Sequence, residues 1–321
     1  MSEVLDRIAS IGIVPVIANI ASEEACESLT QALIAGGIPV MEITFRMPNA
    51  ERYIAQVRKN HPDVAVGAGT VLTTEQAQMA IDAGAQFLVA PGLSAAIVEI
   101  AQNNQIDIIP GVSTAGDVTA ALEMGITVQK FFPAEQMGGA GTVKALSAPF
   151  KAVKFVPTGG INLGNIGAYF DLSCVAACGG TYMLGKHADK GEWAEITALC
   201  KKSVQTMLDL KLVHVGINTP DPESAAATAG ALSSLLLLDV AKDGNSSVFV
   251  DDDIEVMKSN YLGSNGHLGF STRNIARAVA YYKAMGKAFN EDSAKYDAAG
   301  KLKAIYFAEE IGGFAIHLMQ A

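Results

Sequence analysis

Two ionisable residues stand inside apolar runs, where an unpaired charge is costly. Glu42 lies in Met41-Glu42-Ile43-Thr44-Phe45-Arg46, and Lys130 lies in Val128-Gln129-Lys130-Phe131-Phe132-Pro133. In an extended strand alternate residues share a face, which groups Glu42 with Thr44 and Arg46, and Lys130 with Phe132. Burial disfavours the charged form of a lysine, and Val128, Phe131 and Phe132 flank this one, so its amine is suited to attack a ketone. A neighbouring carboxylate can carry protons through carbinolamine formation, imine formation and carbon–carbon cleavage. Arg46 can hold a substrate carboxylate through two parallel hydrogen bonds. The competing reading is a structural Glu42–Lys130 pair that fills the interior, and the residues alone leave both open.

A second signal is glycine at two places. Pro157-Thr158-Gly159-Gly160-Ile161-Asn162 and Cys178-Gly179-Gly180-Thr181 each end an apolar run. Successive glycines expose backbone N–H groups that can gather around an anion. Either turn alone is commonplace; together they predict a phosphorylated substrate.

These residues need elements to position them. Eight short apolar runs, at 13–18, 40–45, 65–71, 87–91, 106–112, 128–134, 152–158 and 174–179, recur along the first two-thirds of the chain. Stretches of helical spacing separate them, such as 22–35, 74–83 and 115–124. Ser22 and Thr73 are placed to open two of these helices, and Gly36-Gly37 and Gly84 to close them. Strands alternating with helices pair in parallel. Eight such units predict an α/β chain folded as a (β/α)8 TIM barrel, with the active site at the C-terminal ends of the strands and an anion site after the seventh and eighth. An open doubly wound sheet is disfavoured, because no G-x-G-x-x-G follows the first strand.

Residues 1–207 resemble the 2-keto-3-deoxy-6-phosphogluconate (KDPG) and 4-hydroxy-2-oxoglutarate (KHG) aldolase family. The resemblance rests on the Glu42 and Lys130 motifs and on Gly67-Ala68-Gly69-Thr70-Val71-Leu72, Ala90-Pro91-Gly92, Ile109-Pro110-Gly111, Lys130-Phe131-Phe132-Pro133-Ala134-Glu135 and Pro157-Thr158-Gly159-Gly160. It implies a class I aldolase that cleaves KDPG to pyruvate and glyceraldehyde 3-phosphate without a cofactor. Lys130 would form the imine and Glu42 would be the acid/base, while Arg46 and Thr70 would hold the pyruvate carboxylate. Pro91 and Phe132 would shape the pocket. Thr158, Gly159, Gly160, Gly180 and Thr181 would bind the distal end of the substrate, and a homotrimer is expected. Thr181 stands where the family pattern has serine, which puts phosphate against carboxylate selectivity in question. The alternative main activity is cleavage of 4-hydroxy-2-oxoglutarate to pyruvate and glyoxylate.

The style changes near residue 210, which divides the chain into an aldolase domain, 1–208, and a smaller α+β domain, 212–321. The latter contains two imperfect copies of one pattern. One opens on His214-Val215-Gly216-Ile217 and closes on Ile254-Glu255-Val256-Met257-Lys258; the other opens on His267-Leu268-Gly269-Phe270 and closes on Ile316-His317-Leu318-Met319-Gln320. Helical stretches at 222–236 and 274–285 follow the openings, giving two βαβββ modules. Arg273 and Arg277 are expected on an exposed helix face. The pattern resembles the vicinal-oxygen-chelate (VOC), glyoxalase-like family. That resemblance implies a divalent metal at His214, Glu255, His267 and His317, a donor set suited to zinc, nickel, iron or manganese. The same four can also be ordinary polar residues of half-buried strands, and a third reading makes the barrel a vestigial scaffold for a metal- or ligand-binding VOC module.

Bulk properties fit two packed domains: the 321 residues are 50% hydrophobic and 17% charged. A formal charge of −10 excludes general affinity for nucleic acid or acidic membrane surfaces. Cys26, Cys174, Cys178 and Cys200 follow no disulfide or zinc-ribbon spacing. Glu3 and Asp6 precede a short apolar run broken by Pro15, so no signal peptide is expected, and Leu235 to Leu238 is too short to span a bilayer. A cytoplasmic enzyme acting on a small keto-acid phosphate is the expectation.

Overall fold

The computed structural model describes residues 2–321 and falls into two compact units, Met1–Met207 and Leu208–Ala321. The first is built on nine short strands: β1 (Ile13–Ile17), β2 (Val40–Thr44), β3 (Ala65–Gly69), β4 (Phe87–Val89), β5 (Asp107–Ile109), β6 (Gly111–Val112), β7 (Val128–Phe131), β8 (Lys154–Phe155) and β9 (Cys178–Gly180). All their pairings are parallel. One sheet runs β5-β4-β3-β2-β1-β9 and another β6-β7-β8. Only Pro110, which has no N–H to donate, separates β5 from β6, and its carbonyl still accepts from the Lys130 N–H at 2.9 Å. Bridges Phe155↔Val175 and Thr158↔Gly179 join the two sheets on the other side. The result is an α/β, TIM-barrel-like unit.

Both faces of such strands are covered, so every residue of β1, β2 and β3 is buried. Several helices between the strands start on side-chain caps, which satisfy backbone donors that the first turn leaves unpaired. Ser22 accepts from the Ala25 N–H at 3.1 Å and Thr73 from the Gln76 N–H at 3.2 Å. Thr114 and Asp117 form a reciprocal capping box on the helix Ala115–Glu123.

The second unit carries β10 (Lys211–Ile217), a helix Pro222–Leu236, β11 (Val240–Asp243), β12 (Ser247–Val250) and β13 (Ile254–Met257). It continues with β14 (Gly266–Thr272), a helix Ile275–Ala284, β15 (Phe289–Tyr296), β16 (Leu302–Ile311) and β17 (Phe314–Gln320). The sheet order is β11-β12-β13-β10-β14-β17-β16-β15. Its centre is the antiparallel pair β10–β14, and each member is flanked on its outer side by a parallel strand, β13 or β17. Ala225 and Ala229 of the first helix pack on Val248, Val250 and Val256, small residues letting the helix approach the sheet. Arg273 and Arg277 are half-buried rather than exposed, and Arg273 pairs with Asp209 at 3.5 Å. The charge balance of that segment is local, and its helix face is packed.

Candidate functional site

The ends of β2 and β7 bring Glu42 and Lys130 together, with Glu42 Oε1 3.5 Å from Lys130 Nζ. Both are nearly sealed from solvent, at 3% and 5% relative exposure. Room for the carboxyl group comes from β3, since a Cβ on Gly69 would collide with Glu42. Lys130 Nζ also lies 5.3 Å from the centre of the Phe132 ring. In so dry a place neither group can relax into water, so each depends on the other as its polar partner.

A cavity of about 390 Å³ opens over this pair. Arg46, Thr70, Pro91, Phe132, Thr158, Gly159, Gly160, Gly180 and Thr181 line it together with the pair. Val16 and Ile161 complete the wall; apolar residues at strand ends carry no chemical signal, so sequence reading passed over them. Arg46 is not on the strand with Glu42 as its spacing suggested. β2 stops at Thr44, the chain turns through Met47 N–H to Thr44 carbonyl at 3.3 Å, and Arg46 Nε donates back to Thr44 Oγ1 at 3.4 Å. The guanidinium thus reaches the cavity from a turn, where it stays exposed.

Gly159 and Gly160 adopt φ of 101° and 77°, a left-handed region that favours glycine. Their N–H groups donate to no protein acceptor among the described residues, which leaves them for an anion. The loop is held from behind. Ala134 and Glu135 N–H groups donate to the Thr158 and Gly159 carbonyls at 2.8 and 3.1 Å. The Asn162 and Asn165 side-chain amides donate to the Gly160 carbonyl at 3.1 and 3.0 Å. The Tyr169 hydroxyl donates to Glu135, and burial pushes that phenol far up, so it keeps the proton it donates. None of these supports was anticipated; only the adjacency of Glu135 to the Lys130 motif hinted at it. The seventh and eighth strands are also shorter than the apolar runs. Near Pro157 the chain keeps single bonds, Val156 N–H to Gln129 and Thr158 N–H to Phe131, at 2.8 and 2.9 Å, and Cys174 lies outside β9.

In the second unit His214 on β10, His267 on β14 and His317 on β17 converge by their Nε2 atoms. His214 Nε2 lies 3.2 Å from that of His267 and 3.0 Å from that of His317. Glu255 on β13 adds Oε2 at 3.1 Å from His267 and 3.8 Å from His214. The histidines are 8%, 2% and 5% exposed. Burial pushes His317 down to about 3, with His214 and His267 adding to the effect. Burial also lowers His214, followed by the neighbouring His267 and opposed by Glu255. Burial would raise the Glu255 carboxyl, but hydrogen bonds from His267 and from Ser247, the latter at 2.6 Å, hold it at about 2. His214 and His317 held neutral and Glu255 held ionised are the protonation states a divalent cation requires. Ring nitrogens as close as His214 Nε2 is to each of the other two repel through their lone pairs unless a cation or protons intervene. Moreover, Nδ1 of His267 and of His317 is buried without a hydrogen-bond partner. The three histidines therefore make a donor set that could hold a metal ion together, with the Glu255 carboxylate beside them.

A family model described as KDPG and KHG aldolase matches residues 4–199. A 2-dehydro-3-deoxy-phosphogluconate aldolase of Treponema pallidum (strain Nichols) is 43% identical over 206 residues, covering 64% of this chain and 98% of its own. The KHG/KDPG aldolase of Escherichia coli (strain K12) is 38% identical over 194 residues, covering 60% and 91%. Among solved structures, a KDPG aldolase from Legionella pneumophila with pyruvate captured as a covalent carbinolamine aligns with a TM-score of 0.60 at 37% identity, covering 62% of this chain and 97% of that one. The KDPG aldolase of Zymomonas mobilis ZM4 with 3-phosphoglycerate gives 0.58 at 35% identity, covering 62% and 94%.

Proposed function

Because the chain belongs to the KDPG and KHG aldolase family across residues 4–199, we propose that its first unit cleaves KDPG to pyruvate and glyceraldehyde 3-phosphate through an imine on Lys130. The observation that carries this is the buried Glu42–Lys130 pair at 3.5 Å in a cavity also lined by Arg46 and by glycines of two turns. The Lys130 amine adds to the C2 ketone, and Glu42 supplies the proton with which the carbinolamine oxygen leaves as water. The resulting iminium draws in the electrons of the C3–C4 bond as the C4 hydroxyl proton passes to Glu42. Glyceraldehyde 3-phosphate leaves, and an enamine remains on Lys130. Protonation at C3 and addition of water to the imine free pyruvate and restore the amine.

Arg46 and Thr70 hold the C1 carboxylate, and Pro91 and Phe132 shape the cavity beside the imine. Thr158, Gly159, Gly160, Gly180 and Thr181 take the phosphate. The Legionella pneumophila relative with pyruvate as a carbinolamine supports the covalent step, and the Zymomonas mobilis relative with 3-phosphoglycerate supports a phosphate at the distal end. The family reading also carries a cytoplasmic homotrimer. A second reading makes 4-hydroxy-2-oxoglutarate the main substrate, with its distal carboxylate at the same glycine loops. Thr181, which carries a methyl group where the family pattern has serine, and the double name of the Escherichia coli relative favour weighing it.

For residues 212–321 we propose a VOC-like domain of two βαβββ modules that holds a divalent metal at His214, Glu255, His267 and His317. Such an ion would act as a Lewis acid toward oxygen ligands. The convergent Nε2 atoms support it.

The test is pyruvate release from KDPG and from 4-hydroxy-2-oxoglutarate in parallel, without added metal, followed by borohydride treatment of the protein with pyruvate. The expected outcome is fast release and a pyruvyl adduct on Lys130, both lost in Lys130→Ala. Full activity of Lys130→Ala would overturn the imine mechanism. The ratio of the two rates assigns the distal group.

A further inference from the structure

The centre of the second sheet places a glycine opposite each histidine of β10 and β14. His214 pairs with Gly269, and Gly216 with His267. The parallel neighbours continue the pattern, with Glu255 beside Gly216 and His317 beside Gly269. A Cβ on Gly216 would collide with the His267 ring, and one on Gly269 with the His214 ring. Each glycine is thus the space into which the other strand's imidazole folds. The repeated His-x-Gly of the two half-domains is therefore one device, used twice about the sheet centre.

Metal-bound histidines are ordinarily oriented by a hydrogen bond from their second ring nitrogen. His267 and His317 have no such bond, since Nδ1 of each is buried and unpartnered. Their orientation comes from packing instead. Tyr306, opposite His317 in the β16–β17 ladder, stacks on its ring at 4.5 Å and 14°. The same phenol ring meets His267 edge-on at 6.0 Å and is itself met by Tyr261 at 5.9 Å. Tyr306 is only 5% exposed, so it has no alternative place to go.

We infer that Gly216, Gly269 and Tyr306 are positioning residues that set the three histidine rings by packing rather than by hydrogen bonding. The inference rests on the metal reading of the second unit. Its consequence is unusual selectivity in substitution: the ring of Tyr306 matters and its hydroxyl does not, while a single methyl group at either glycine is intolerable.

The experiment is titration of the full-length protein with Co(II), read by the visible d–d bands and their intensity, with thermal unfolding of each variant recorded alongside. The wild type is expected to bind. Tyr306→Phe should bind within about twofold of it, whereas Tyr306→Leu should lose roughly 10–100-fold in affinity and change the band pattern, the range typical of groups that orient ligands. Gly216→Ala and Gly269→Ala should lose binding entirely. If an alanine variant fails to fold, the Tyr306→Phe and Tyr306→Leu pair decides alone. Equal binding and identical spectra for Tyr306→Leu and wild type would overturn the inference. A wild type that takes up no Co(II) would overturn the metal reading beneath it.

Discussion

Thr70 has φ of 53°, and a β-branched residue seldom occupies that left-handed region. Strain of this kind costs about 1–3 kcal/mol and persists where the surroundings demand it. Here the demand is the cavity, which Thr70 lines beside Arg46. Thr70→Gly should therefore raise stability by about 1 kcal/mol, strain relief outweighing the entropy of glycine, while weakening pyruvate binding. Denaturant unfolding and KM together check it; lower stability with unchanged KM would contradict it. Glu42→Gln keeps the shape of the buried pair but removes the proton carrier, so kcat should fall roughly 10²–10⁴-fold, measurable by pyruvate release. Legibility differed sharply at this scale. Glu42 and Lys130 stood out because charge in an apolar run is anomalous, and the four metal-type residues because a pattern repeated. Thr70 and Pro91 are unremarkable as residue types and surfaced only through family resemblance. Val16, Ile161 and Tyr169 gave no signal, because an apolar or aromatic residue in a strand or helix is what a core ordinarily contains.

At the scale of elements, the anion loop depends on a neighbour it does not contain. Glu135 follows the lysine strand, Tyr169 lies on the short helix Ile166–Phe170, and their hydrogen bond lies behind Gly160, where a Cβ would strike the Glu135 side chain. Tyr169→Phe keeps the ring and removes the donor. It should raise KM for KDPG several-fold with kcat little changed, and affect 4-hydroxy-2-oxoglutarate less if the loop binds phosphate. Equal effects on both substrates would count against that assignment. Helices show the same dependence on local chemistry. The Ser113 N–H, with that of Thr114, holds the Asp117 carboxyl below its usual range, partly opposed by burial. A depressed folded value means that stabilisation is present above the unfolded pKa of about 3.9 and fades as pH falls through the lower folded one. Asp117→Ala should therefore cost about 1 kcal/mol near neutrality, and its deficit in Tm should shrink in acid. Period and caps made the strands and several helices readable, whereas their ends were not. Arg46 left its strand because the β2–β3 ladder ends at Thr44↔Gly69, and the last two strands span only Lys154–Phe155 and Cys178–Gly180, shorter than their apolar runs. Ladder ends are fixed by neighbouring strands, which a one-dimensional pattern does not contain.

For the whole molecule, the two units present chemistry of opposite kinds. In the proposed mechanism the first works with an amine, a carboxylate and backbone N–H groups, none of which needs a metal; the second gathers three buried histidines beside a carboxylate, the set proposed to hold a divalent ion. A chelator should consequently leave pyruvate release unchanged while destabilising the second unit alone. The converse is quantitative. A divalent ion at 100 times its dissociation constant stabilises the folded state by about 2.7 kcal/mol. In a unit of this size that raises the transition on the order of 10 °C. His267→Ala should abolish the shift, since His267 approaches both His214 and Glu255, at 3.2 and 3.1 Å, and its loss takes away the donor shared by two sides of the cluster. The same variant should retain wild-type kcat for KDPG, because every group in the proposed imine mechanism lies in residues 42–181. Differential scanning calorimetry with and without Co(II), run beside the pyruvate assay, separates the possibilities. A metal-dependent shift that survives His267→Ala would place the ion elsewhere, and loss of aldolase activity in that variant would show that the second unit acts on the first.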